Sequence, residues 1–172
     1  MRDEFRVTHD TKMILGVQTT VVDDKVWIDG KLAEATLDWF AQDKDGNVWY
    51  LGEYATEYDE KGSVLNHEGS WEAGVNGAQA GIVMLAHPQK GSSYRQEFAQ
   101  GVAEDMAQVM SLSKQVKVPY GRFKSCLKTK EWTPLEPSIS ERKNYAPGVG
   151  LVLSKMVAGG NDYMELVRIV TK

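Results

Sequence analysis

Residues 38–53, DWFAQDKDGNVWYLGE, decide the fold class because they contain two strand-like segments joined by a turn signal. Aromatic and β-branched residues, which favour strands, lie on both sides of Lys44-Asp45-Gly46. A three-residue turn with Gly46 at positive φ predicts that Asp43 pairs with Asn47. The stretch therefore predicts a β-hairpin.

Counting back from this turn predicts a strand register and two faces. The predicted cross-strand pairs are Ala41–Trp49, Trp39–Leu51 and Leu37–Glu53. One face, predicted to be buried, carries Ala35, Leu37, Trp39, Ala41, Trp49 and Leu51. The opposite face carries Asp38, Phe40, Gln42, Val48, Tyr50 and Tyr54. Glu53 is then expected at the edge of a Trp-lined surface, although a one-residue slip in the turn would exchange the two faces.

Similar turn signals recur along the whole chain, and the segments between them alternate in polarity. Strands are predicted near residues 4–13, 16–28, 31–42, 47–58, 63–72, 80–85, 93–100, 105–118, 125–132, 138–145, 150–157 and 162–170. Residues 101–112 fit either a short helix or an irregular strand. We expect one all-β domain over residues 1–172, an antiparallel meander that closes into a lipocalin-like barrel or half-barrel, with a sandwich as the alternative.

Composition excludes several classes of function. The net charge of −4 and the pI of about 5.4 give no basic footprint for nucleic acid. No apolar run is long enough to span a bilayer. Residues 1–6 are charged where a signal peptide needs an apolar region, so we expect a cytoplasmic protein or a mature protein without its leader. The lone Cys126 rules out an internal disulfide and is predicted to pack in a strand.

Asp43-x-Asp45-Gly46-Asn47 resembles the start of a calcium-binding loop. A full EF-hand loop needs helices on both sides and a bidentate Glu at its twelfth position, where this chain has Tyr54. The same residues make an ordinary hairpin turn, because Asp caps the turn and Gly supplies positive φ. The turn is the favoured interpretation, and the metal site is the alternative.

A second group of carboxylates is a better candidate for chemistry. Adjacent acids such as Glu104-Asp105 repel each other unless a cation, a helix N-terminus or water relieves them. This pair is the best candidate for metal ligands, with Glu72 and Glu97 as partners. The expected ion is calcium. Glu72, Glu97 and His67 are the candidate acid–base residues, since carboxylates on one concave face can activate water beside a metal. Solvated strand faces and structural ion pairs are the alternative interpretations.

Aromatic residues suggest a different kind of site. A barrel lined with aromatic side chains can hold a small or lipidic ligand at its mouth. The candidate ligand-binding residues are Trp39, Trp49, Trp71, Tyr94 and Glu53. Each tryptophan can equally fill the core.

Several motifs resemble a family of bacterial secreted proteins and lipoproteins to which no activity is assigned. They are DWFAQDKDGNVWY (38–50), EGSWEAG (68–74), YRQE (94–97), GVAEDM (101–106), EWTPLEP (131–137) and YAPGVG (145–150). The last motif is also similar to one in periplasmic half-barrel proteins with lipid or envelope roles. The resemblance implies a periplasmic or secreted location and a lipocalin-like or half-barrel shape. Family members begin with a leader and a first strand with a Pro-Gly-x-x-Trp-like pattern, whereas this chain starts after that point, and His87 has no counterpart in the family pattern.

Three functions follow as expectations. The first is an extracytoplasmic protein that binds a small or lipidic ligand in its lumen. The second is a calcium-assisted hydrolase of phosphate or carboxylate esters, which would use the carboxylates above. The third is a structural envelope protein.

Overall fold

The computed structural model describes residues 1–171, and within them the chain is built from antiparallel strands. The strands are β1 (Arg2–Ile14), β2 (Val17–Ile28), β3 (Lys31–Gln42), β4 (Val48–Tyr58), β5 (Val64–Asn66), β6 (Trp71–Glu72), β7 (Gln79–Met84), β8 (Ser93–Arg95), β9 (Glu97–Phe98), β10 (Met106–Val118), β11 (Gly121–Trp132), β12 (Ser140–Ala146), β13 (Gly150–Ala158) and β14 (Tyr163–Glu165). The all-β prediction is confirmed. The described residues include no helix that is long and apolar enough to cross a membrane.

The helical alternative for residues 101–112 is wrong. Ala107 and Val109, which are 0% and 1% exposed, lie two residues apart in β10. That period of two is typical of a strand with one covered face.

The chain forms two compact units. Unit 1 comprises Met1–Ala86 and Arg95–Glu104, and unit 2 comprises His87–Tyr94 and the chain from Asp105 to the last described residue. The expectation of one domain over residues 1–172 stays a prediction.

Each unit is organised by one sheet. The first sheet has the order β1-β2-β3-β4-β7-β9, and β5 and β6 also pair with β4. The second has the order β14-β13-β12-β11-β10-β8. Neither sheet closes into a barrel within residues 1–171, which is compatible with the half-barrel form of the prediction.

The turn of the β3–β4 hairpin matches its prediction. Asp43 N donates to Asn47 O at 3.0 Å, Gly46 has a φ of 95°, and Ala41 pairs with Trp49. The Asp43 carboxylate accepts hydrogen bonds from Trp49 Nε1 and from the backbone of Asp45 and Asn47. Hydrogen bonds from Trp49 and then Asn47 lower the pKa of Asp43 to about 2. This carboxylate therefore caps the turn.

The register changes beyond Phe40, where a bulge separates it from Asp38. Gly52 has a φ of 138°, and a Cβ there would lie 2.3 Å from the Trp71 carbonyl oxygen, so only glycine fits. The bulge places Asp38, instead of Leu37, opposite Glu53. The predicted pairing of Leu37 with Glu53 is wrong by one residue, and Leu37, which was predicted to be buried, is 41% exposed.

Each unit has an apolar core. Trp39, Leu51 and Trp71 are buried in the core of unit 1, as predicted for Trp39 and Leu51. In unit 2, Cys126 is fully buried beside Val116, and the prediction of a packed cysteine is confirmed.

Candidate functional site

One face of the unit 1 sheet concentrates carboxylates. Residues that pair across antiparallel strands share a face, and so do residues two apart along a strand. The registers of β1 to β4 therefore place six acids together, which we call the acidic face: Asp3, Asp24, Glu34, Asp38, Glu53 and Glu57.

A shared proton holds part of this face together. The Tyr50 hydroxyl lies 2.6 Å from Asp38 Oδ1 and 2.8 Å from Glu53 Oε2. A hydroxyl donates only one proton, so Asp38 and Glu53 share the proton of Tyr50 as long as both carboxyl groups are ionised. Burial, together with the charges of nearby acids, raises the pKa of Asp38 to about 6, although the hydrogen bond from Tyr50 opposes the shift.

A second proton is held between Asp24 and Asp3. Burial, followed by the hydrogen bond and the charge of Asp3, raises the pKa of Asp24 to about 9. Asp24 is therefore protonated at neutral pH and donates to Asp3. One Oδ1 atom of each residue is buried without a hydrogen-bond partner. Asp24 and Asp3 thus relieve their mutual repulsion by holding one proton at neutral pH.

The predicted catalytic carboxylates Glu72 and Glu97 make structural contacts in unit 1. Glu72 Oε2 lies 2.6 Å from Lys12 Nζ, which also sits 3.4 Å from the centre of the Trp39 ring. Glu97 Oε2 accepts a hydrogen bond from Trp71 Nε1 at 2.9 Å. Glu72 thus pairs with a lysine that packs on the buried Trp39, and Glu97 bonds to the buried Trp71.

His67 is exposed and bonded to backbone and side chains. Its Nδ1 lies 2.9 Å from Ala55 O, a pure acceptor, so the proton belongs on Nδ1. Nε2 then accepts from the Tyr54 hydroxyl at 3.2 Å, and the two rings stack at 4.7 Å. The histidine is thus oriented by β4.

The predicted metal ligands are not gathered into one set. Glu104 accepts a hydrogen bond from Gly101 N at 2.8 Å and closes a turn in unit 1, whereas Asp105 belongs to unit 2. Within residues 1–171, no group of three or more His, Cys, Asp and Glu side chains has an arrangement that could hold a metal ion. The calcium site stays a prediction.

The predicted aromatic ligand site is distributed between core and surface. Trp39 and Trp71 are buried, and Trp71 packs edge-on against Tyr50 at 5.4 Å. Trp49 is half-buried, and its Nε1 donates to the Asp43 carboxylate. Tyr94 belongs to unit 2, and its hydroxyl is buried without a hydrogen-bond partner. Trp39 and Trp71 therefore fill the core of unit 1, and Trp49 packs against it.

Unit 2 contains an open cleft with a volume of about 260 Å³, which we call the basic cleft. Its charged lining residues are Lys114, Lys117, Lys128, Arg142 and Lys155, and no acidic residue lines it. None of these five cations forms an ion pair with a carboxylate among residues 1–171. In a chain with a net charge of −4, the cleft is a local concentration of positive charge.

Arg142 is the cation of the basic cleft with a buried, unpaired donor. Its Nη1 atom is buried and has no hydrogen-bond partner. It also lies directly opposite Lys155 on β13, and like charges in this position destabilise a sheet. A buried charged donor without an acceptor costs several kcal/mol at the order-of-magnitude level, which makes it an unusual feature in a folded protein.

Lys128 also lies close to other positive charges of the basic cleft. Burial, followed by the charges of Lys114 and Arg142, lowers the pKa of Lys128. Lys128 reaches this position from β11, where its cross-strand partner is Asn144 on β12. A bound anion would reverse this shift.

Irregular pairing between β10 and β11 brings Lys114 toward this face. The register shifts three times between Val109 and Val116, and Ser125 adopts a positive φ of 56°. Bulges of this kind redirect side chains and are frequent beside functional sites. The strands β10 and β11, which contribute to the basic cleft, are therefore locally irregular.

The basic cleft was not predicted from the sequence. Lys128, Arg142 and Lys155 fall in three successive predicted strands. Aligning those strands by their turns would have placed the cations on one face. The sequence therefore did contain a signal for the basic cleft, namely the alignment of these three strands.

Comparisons with protein-family models, with curated proteins and with solved structures found no significant match to this chain. The resemblance to secreted bacterial proteins stays a prediction.

Proposed function

We propose that this protein is a ligand-binding protein that holds a small molecule with an oxyanion group, a phosphate ester or a carboxylate, in the basic cleft. The observation that carries the proposal is Arg142 Nη1, a buried cationic donor without an acceptor. A guanidinium group cannot lose its proton near neutral pH, so only an acceptor can relieve it.

The surroundings of Arg142 support an anion. Lys128 and Lys155 lie on the same face and add positive charge, and no carboxylate lines the cleft. Glu165 lies opposite Leu153 on the neighbouring strand β14 but is not a lining residue. It accepts a hydrogen bond from the Tyr163 hydroxyl at 2.9 Å. Arg and Lys side chains bind phosphate and carboxylate groups through charge-assisted hydrogen bonds.

The proposal keeps the small-ligand prediction but moves its site. The tryptophans expected to line a lumen pack in the core of unit 1, whereas the basic cleft is open. The metal-assisted hydrolase, the envelope role and the extracytoplasmic location stay predictions. A calcium-dependent rise in melting temperature that EDTA reverses would support the hydrolase.

Isothermal titration of the full chain with sodium sulfate and with inorganic phosphate tests the proposal, with ionic strength held constant. We expect saturable binding at one site. Arg142→Gln removes the buried donor and should weaken binding at least about tenfold, the scale of a charge-assisted hydrogen bond.

Lys124→Gln is the matched control, because it removes one positive charge from an exposed position on β11 outside the cleft. It should leave the affinity within about twofold, as expected for an exposed charge under salt screening. Equal losses in the two variants, or titrations without saturation, would overturn the proposal.

A further inference from the structure

We infer that the ligand of the basic cleft carries a hydroxyl group beside its oxyanion, as sugar phosphates, polyol phosphates and hydroxy acids do. This inference rests on the proposed function, since it names the class of molecule bound at the same cleft. It depends on a second unsatisfied group, Asn144, whose chemistry differs from that of Arg142.

Asn144 lines the cleft and is 4% exposed. Its Nδ2 donates to the Leu153 carbonyl oxygen at 3.4 Å, and its Oδ1 is buried without a partner. Reversing the amide would point an oxygen at the Leu153 carbonyl, so this contact fixes the orientation. Two residues that line the cleft therefore carry an unpaired buried atom, an acceptor on Asn144 and a donor on Arg142.

The two groups are placed to bind one molecule. Arg142 and Asn144 lie two residues apart on β12, on the same face and roughly 7 Å apart along the strand. An inorganic anion with no proton can satisfy Arg142 but cannot donate to Asn144 Oδ1. A ligand that satisfies both needs a negatively charged acceptor and a hydroxyl donor.

The cleft also has an apolar part, which makes an alkyl anion the competing ligand. Val116, Leu153 and Val157 line it beside the cations. An alkyl chain against these residues would gain affinity from apolar contact but would leave Asn144 Oδ1 desolvated without a donor. The hydrogen-bonding requirement favours the hydroxylated ligand.

Two probes with the same phosphate and the same three-carbon skeleton distinguish these ligands: glycerol 3-phosphate and n-propyl phosphate. Titrated into the full chain at equal ionic strength, glycerol 3-phosphate should bind about three- to tenfold more tightly, the scale of one buried hydrogen bond. Asn144→Leu, with a similar volume and no acceptor, should abolish or invert this preference. Asn161→Leu, at an exposed turn position, should retain it.

The outcomes separate this inference from the proposed function. Equal affinity, or tighter binding of n-propyl phosphate by the unaltered protein, overturns the hydroxyl requirement and leaves anion binding intact. If neither probe binds and sulfate also fails, both are wrong. A preference that survives in Asn144→Leu removes Asn144 from the recognition site, and Asn144→Ala, which also lacks an acceptor, provides the same test if the leucine variant does not fold.

Discussion

The acidic face of unit 1 and the basic cleft of unit 2 both crowd like charges onto one face of a sheet, yet they relieve the repulsion differently. On the acidic face, burial raises the pKa of Asp24 to about 9 and that of Asp38 to about 6, so Asp24 is neutral at pH 7 and Asp38 takes up a proton only in mildly acidic solution. In the basic cleft, Arg142 keeps its charge and has no acceptor for Nη1.

The difference comes from the chemistry of the two groups. A carboxylate becomes a hydrogen-bond donor when it takes up a proton, whereas a guanidinium group stays a cation at any physiological pH. A pair of acids can therefore supply its own donor, although Asp3 and Asp24 each keep one buried oxygen without a partner. An arginine among lysines needs an external acceptor, and an anion supplies one together with the attraction of opposite charge. This contrast favours the basic cleft as the ligand site.

Gly52→Ala should break the acidic face while leaving the basic cleft intact. The new Cβ would lie 2.3 Å from the Trp71 carbonyl oxygen, and the φ of 138° disfavours any side chain. We expect a loss of about 2–4 kcal/mol in the free energy of unfolding, measured by urea denaturation.

Gly62→Ala is the control for this change, since Gly62 also has a positive φ but its Cβ would meet open space. It should cost only about 1 kcal/mol. Similar losses at both glycines would show that the close approach of Trp71 does not matter.

Asp24→Asn tests proton storage on the acidic face. An acid whose pKa is higher in the folded state takes up a proton on folding, so stability falls as pH rises from about 4, its unfolded value, to about 9. The asparagine variant cannot titrate there, and it should gain about 1–3 kcal/mol at pH 8 relative to the unaltered protein, after allowance for partial solvent screening.

Urea denaturation at several pH values measures this effect. Asp10→Asn, at an exposed position on β1, is the matched control and should leave the pH profile unchanged. Parallel profiles for the unaltered protein and Asp24→Asn would contradict the raised pKa of Asp24.

Tyr50→Phe should remove the proton donor between Asp38 and Glu53. Because the hydrogen bond from Tyr50 lowers the pKa of Asp38, its loss should raise that pKa further above about 6. The free energy of unfolding should fall by about 1–2 kcal/mol at pH 8. Carbon-detected NMR titration of the carboxyl groups measures the first effect and urea denaturation the second.

Tyr120→Phe, which removes an exposed hydroxyl in unit 2, is the comparison for Tyr50→Phe. It should change neither quantity. An unchanged titration of Asp38 in Tyr50→Phe would argue against the shared proton.

The affinity of the basic cleft for sulfate should decrease as pH rises from 7 to 10. The pKa of Lys128 lies below its usual value, so this side chain loses its charge at a lower pH than an ordinary lysine and then binds the anion less well. Sulfate does not titrate there, which assigns the change to the protein. We expect a decrease of about three- to tenfold, the smallest effect of the four.

Lys128→Arg keeps the charge at all these pH values and should flatten the sulfate profile. Lys124→Arg should not flatten it, because Lys124 lies outside the cleft. A profile as steep in Lys128→Arg as in the unaltered protein would assign the titration to another residue.

The sequence predicted the fold in considerable detail, because local signals dominate hairpins. Asp43 and Gly46 specify the turn, and the turn specifies the pairing of Ala41 with Trp49. The prediction failed beyond Phe40, where the close approach of β6 to Gly52 introduces a bulge. A glycine within a strand signals such a bulge but not its register consequence.

The candidate site was much less predictable. Glu72 looked reactive in the sequence, but Lys12, 60 positions earlier, neutralises it. Arg142 looked like an ordinary strand cation, and only its burial shows that it lacks an acceptor. Partners that are distant in sequence decide whether a charge is satisfied, and no local pattern reveals them.

The sequence by itself therefore determined the strands, the turns and the antiparallel pairing of neighbours, since these depend on the alternation of side chains and on turn residues a few positions apart. The tertiary structure decided which charges are neutralised and which are not. Pairing across β11, β12 and β13 puts Lys128, Arg142 and Lys155 on one face. Burial then leaves the arginine without an acceptor, because desolvation depends on every strand that covers a group.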